Sequence, residues 1–142
     1  MASNPMSPGL ITVGTPEEKQ QVEDVLKLFL DACPGAKGAL VATADGFVIS
    51  SLFKGEVAMR SLAAITSSIM SLAESLAKEA SQGVCRNLVI EAEEGNAVAL
   101  RINRTRILTV IAEHRTRLGM LLSAAKRCTE SLANITEGGS SV

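Results

Sequence analysis

The one histidine of the chain, His114, stands in "AEHRTR", and imidazole is the side chain best suited to move protons near neutral pH. A catalytic histidine needs a nucleophile to activate and an acid to orient it. Its neighbour Glu113 cannot orient it, because successive side chains of an extended segment point to opposite faces. A solvated turn histidine is the simpler reading. Cys33, Cys85 and Cys128 are odd in number and far apart, with no CxxC pair and no Cys/His cluster. They suggest neither a zinc site nor a disulfide framework, and buried thiols are expected. Ser50-Ser51 and Ser67-Ser68 lack the G-x-S-x-G context of an activated serine. No glycine-rich phosphate loop is present. No catalytic residue, metal ligand or cofactor is therefore assigned, and the chain is expected not to be an enzyme.

Arg101, Arg104 and Arg106 surround one turn, with Arg115 and Arg117 close by in sequence. A solvated positive rim is one reading of this cluster, and a docking patch for an acidic partner is the other. The 14 basic and 15 acidic side chains leave a net charge of -1, which supplies no bulk field for nucleic acid or an anionic membrane. Three Phe with no Tyr or Trp offer little for stacking bases or sugars. Neither a nucleic-acid partner nor membrane insertion is expected. The opening "MASNPMSPGLITVG" has no basic region followed by an apolar run, so it is no signal peptide, and no apolar run is long enough to span a bilayer. A soluble, cytoplasmic protein is the expectation.

The elements that carry these residues follow from periodicity. A chain of 142 residues, 46% hydrophobic, suits one domain. Residues 1–14 and 136–142 look like flexible tails around a folded region over 15–135. "TPEE" marks a helix start: Thr15 can cap, Pro16 suits the first position and Glu18 completes a capping box. Val22, Val25, Leu26, Phe29 and Leu30 then share one helical face, and Pro34-Gly35 ends the element. "GALVAT" and "FVISSL" flank Asp45-Gly46, a hairpin signal, and their near-continuous apolarity suggests a sheet covered on both faces. Residues 57–80 spell a long helix. Its stripe Ala58, Leu62, Ile65, Ile69, Leu72, Leu76 and Ala80 is expected to sit on the sheet. One flank, Met59, Ala63, Met70 and Ala77, fits either core packing or contact with another helix, and the outward line is Arg60, Ala64, Ser67, Ser71, Glu74 and Lys78. "NLVIEAE", "NAVALRI" and "RILTVIAE" are three strands, the last central, and "RLGMLLSAAKRCTESLANI" is the final helix. The order α-β-β-α-β-β-β-α predicts an α/β (α+β) fold, a five-stranded antiparallel sheet with helices on both faces.

The succession "GALVATADGFVISS", "AAITSSIMSLAESLAKE", "NLVIEAEEGNAVALRINRTRILTVIAE" and "RLGMLLSAAKRC", with Leu118-Gly119 at the last helix, resembles the Roadblock family of dynein light chains, in its bacterial MglB-like form. The resemblance covers about residues 16–135 and implies a non-catalytic platform with a profilin- or longin-like fold. It implies pairing with a second copy, or a paralogue, through the third strand and the second helix. On this chain that interface would be Met59, Ala63, Met70 and Ala77 with Asn87, Leu88, Val89, Ile90 and Glu91. The paired helices would present Arg60, Ala64, Ser67, Ser71, Glu74 and Lys78 to a small Ras-like GTPase and regulate its nucleotide cycle. Arg60 is read as a contact residue and not as an arginine finger. An assembly adaptor that touches no nucleotide cycle is the alternative, and a ligand-sensing domain is disfavoured by the lack of converging polar groups.

Overall fold

The computed structural model describes residues 13–135. Along the chain run α1 (Pro16–Ala32), β1 (Ala36–Thr43), β2 (Val48–Phe53), α2 (Met59–Glu79), β3 (Asn87–Glu91), β4 (Gly95–Arg101), β5 (Arg106–Glu113) and α3 (Leu118–Ala133). The strands form one sheet in the order β2-β1-β5-β4-β3, and each neighbouring pair is antiparallel. This is the five-stranded antiparallel sheet that the order of elements predicts, and the architecture that the Roadblock resemblance implies. Of the tails expected over 1–14 and 136–142, all but Val13 and Gly14 lie outside the described residues, and Val13 packs against the core.

α1 starts where its residues say it should. The Thr15 hydroxyl accepts the Glu18 N–H at 3.1 Å, and Pro16 occupies the first turn. Val22, Leu26 and Phe29 then recur on the buried face, the spacing that sets one side of a helix inward. With Leu121, Ala125, Cys128 and Leu132 of α3 they cover one side of the sheet.

Alternation along the strands divides the core in two. Ala39 and Val41 of β1, Val98 and Leu100 of β4, and Leu108, Val110 and Ala112 of β5 face α1 and α3. Leu40, Ala42, Ala99 and Ile107 face the other way, toward α2. A central strand is buried on both faces, and β5 is accordingly buried along Ile107–Val110, with Thr109 the polar residue in that stretch.

The Asp45-Gly46 hairpin also holds α2. Gly46 has φ +96°, and a Cβ there would lie 3.2 Å from the Cα of Ala64. Positive φ and backbone contact together require glycine at this position. Beside it, the Ser67 hydroxyl donates to the carbonyl of Ala44. A hairpin without reactive groups thus serves as a seat for the helix.

Candidate interaction surface

α2 meets the sheet along a different line from the one its hydrophobicity suggests. Its buried residues are Ala63 and Met70, the latter 0% exposed. Ala63 packs with Leu40 and Ala42, and Met70 with Ala99 and Ile107. The stripe expected on the sheet is largely outside: Ile65 is 55% exposed, and Leu72 and Leu76 are each 71% exposed. The apolar arc of α2 is wider than its contact with the sheet. The small Ala63 and the pliable Met70 take the inner side, and the bulky branched side chains stand beside it. Ala63 and Met70, expected at a partner's surface, are enclosed by their own chain. Met59 remains exposed and its sulfur accepts the Ser51 hydroxyl at 3.1 Å, while Ala77 is half-buried.

Across from α2, where Ile69 shares a cleft with Leu88 and Ile90, lies an open sheet edge. Among the described residues β3 pairs with β4 on one side only. The Arg101 N–H donates to the Arg86 carbonyl and the Ala92 N–H to the Gly95 carbonyl. By the alternation of an antiparallel pair, Asn87, Val89 and Glu91 turn their N–H and C=O groups to the open edge. Leu88 packs against the Met70 cluster, and Ile90 is 42% exposed. The strand has no Pro or Lys, the residues that commonly protect an edge. α2 ends just before it, at Glu79 with Ala80 as its cap, and Ser81 and Gly83 in positive φ turn the chain back.

The line expected to face a GTPase is divided. Arg60, Ala64, Ser71 and Lys78 are exposed. Ser67 is held by Ala44, and Glu74 accepts from the Arg101 Nε at 2.6 Å. Two of the three arginines near the β4–β5 turn are likewise engaged. Arg101 pairs with Glu74 and also reaches the Arg104 carbonyl, and Arg106 pairs with Glu18 across 88 positions of sequence. Sequence reasoning missed both ion pairs, since no local spacing connects their members.

The remaining reactive groups do not converge. His114 is an exposed turn residue. Cys33 and Cys128 are buried and Cys85 half-buried. Burial pushes the Cys128 thiol up from 9.0 to about 12, so almost none of it is the nucleophilic thiolate at neutral pH. Among the described residues no group of three or more His, Cys, Asp or Glu is placed to hold a metal ion, and no helix is long and apolar enough to cross a membrane.

The described residues thus form a five-stranded sheet with α2 on one face, two helices on the other and an open edge at β3. The family model for the Roadblock/LC7 domain matches residues 21–112, and the chain belongs to that family. The uncharacterized protein MJ1340 of Methanocaldococcus jannaschii is 30% identical over 109 residues, covering 77% of this chain and 95% of its own length. The gliding protein MglB of Thermus thermophilus superposes with a TM-score of 0.79 at 21% identity, over 87% of this chain and 94% of that one. A structure described as MglB with tetrameric arrangement gives 0.80 at 22% identity, over 87% and 93%. At these identities the two structures establish likeness of fold.

Proposed function

We propose that this chain is a non-catalytic, self-associating Roadblock platform that binds a small Ras-like GTPase and regulates its nucleotide cycle. The observation that carries the reading is the exposed apolar set Ile65, Leu72 and Leu76 on a helix whose Ile69 shares a cleft with Leu88 and Ile90 of the open-edged β3. Fully burying a side chain of this size is worth roughly 1.5–3 kcal/mol, and an apolar patch next to unpaired strand groups favours a partner with the same two features. A second copy offers both by symmetry. Two β3 strands pair and two α2 helices lie together, joining the sheets. The existence of an MglB described with a tetrameric arrangement supports self-association.

The interface then consists of Ile65, Leu72 and Leu76 with Asn87–Glu91, with Met59 and Ala77 at its border. Arg60, Ala64, Ser71 and Lys78 form the surface left for the GTPase. Ser67 and Glu74 contribute from beneath, by fixing α2 to the hairpin and to β4. The test is a pull-down from host lysate with the immobilised protein, in parallel with GDP and with a non-hydrolysable GTP analogue. Retention of a small GTPase in one nucleotide state only, weakened by Ser71→Arg, is the expected result. The same proteins retained in both states, with no GTPase among them, would instead make the platform an assembly adaptor.

A further inference from the structure

A second surface, at the end of the sheet where α1 and α3 meet, carries its own complement. Where α1 ends and α3 begins, a concavity of about 380 Å³ is lined by Pro34, Glu113, Arg115, Arg117, Met120 and Arg127, among others. Three guanidinium groups face one carboxylate there. Arg115 reaches Glu113 only at 3.8 Å, with both side chains largely in solvent, and a pair so exposed neutralises little. Arg127 donates to the Ser123 hydroxyl at 3.0 Å and forms no ion pair among the described residues. Arg117 precedes an α3 whose first turn has no acidic residue. Met120 stands 67% exposed on the rim.

The opposite charge sits at the same end of the sheet. The turn joining β3 to β4 carries Glu93 and Glu94 after Glu91, and all three are exposed. None of them forms an ion pair among the described residues. Gly95, which closes the turn, is in register with Glu113 on the wall of the concavity, one interstrand step of about 4.8 Å away.

We propose that this end of the molecule is a second self-association surface, at which the Glu93-Glu94 turn of one copy enters the arginine-rimmed concavity of another. Because both features share one end of the sheet, a two-fold axis between two molecules forms both contacts at once. The contact is therefore reciprocal and closed. Charge complementarity selects a second copy of this chain as the occupant, Met120 supplies an apolar contact on the rim, and attraction between such patches sets orientation and salt sensitivity. The contact does not depend on the α2–β3 interface.

Sedimentation velocity on the full chain tests it through a charge exchange. At low salt the wild type should show a species heavier than the one that persists at about 0.5 M salt, where the screening length is under about 5 Å. Arg117→Glu with Arg127→Glu should abolish the heavier species, and so should Glu93→Arg with Glu94→Arg. Each exchange should weaken self-affinity at least about tenfold, with circular dichroism confirming the fold of both variants. Mixed in equal amounts, the two variants should recover the heavier species, since each then presents the charge the other lacks. Absence of any salt-sensitive species in the wild type would overturn the proposal. So would failure of the mixture to recover it, which would make the arginine surface one for an acidic segment of a different protein.

Discussion

Glu18 lies in the first turn of α1, where a carboxylate is already favoured by the helix dipole, yet its side chain is directed across the core to Arg106. The Arg106 Nε donates to one carboxylate oxygen at 3.0 Å and the Nη2 to the other at 3.3 Å. Their side chains are only 3% and 12% exposed. A two-pronged pair of this kind suits the planar fork of arginine, and lysine cannot reproduce it. Removing one member of a buried pair leaves the other charge without its counterpart. Glu18→Gln should therefore lower stability by about 3 kcal/mol, on the order observed for broken buried pairs, read as a lower midpoint in urea at unchanged slope. The sequence shows Glu18 as part of a capping signal and Arg106 as part of a basic turn. Neither local pattern contains the other residue, so their joining becomes visible only when β5 is placed beneath α1.

At the scale of elements, the eight segments and their order are legible because each carries its own punctuation. Thr15-Pro16, Asp45-Gly46, Glu94-Gly95 and Asn103 all mark boundaries that the chain uses, and Asn103 Oδ1 accepts from the backbone of both Thr105 and Arg106. The orientation of α2 is not legible. More than half its circumference is apolar, and ranking by bulk places Leu and Ile inward, whereas the sheet receives Ala63 and Met70. On the proposed reading α2 divides its apolar residues between two tasks, covering its own sheet and meeting a partner, and periodicity reports only their sum. Two neighbouring substitutions separate these tasks. Met70→Glu places a charge in an enclosed site and should unfold the chain, with loss of the helical circular dichroism signal. Leu72→Glu, two residues on and 71% exposed, should keep that signal and sediment as a monomer.

At the scale of the whole molecule, the described residues form a sheet with two free edges, β2 and β3, and β3 shares a cleft with α2, whose Ile65, Leu72 and Leu76 are exposed. If that edge is completed by a second copy, folding and association are linked by mass action. The melting temperature should rise with protein concentration in the wild type and stay constant in Leu72→Glu, measured by scanning calorimetry over a hundredfold range. The strand order has one further consequence. β5 (Arg106–Glu113) is the last strand to be made and the middle one in space. A nascent chain that has emerged only as far as Arg104 holds the β1–β2 hairpin and the β3–β4 hairpin with nothing to join them, and α2 has no continuous surface on which to lie. Translation therefore delivers this domain as two halves and their connecting strand, in that order, and β5 closes the sheet from within. A pause or truncation before Arg106 leaves four exposed strand edges in place of two.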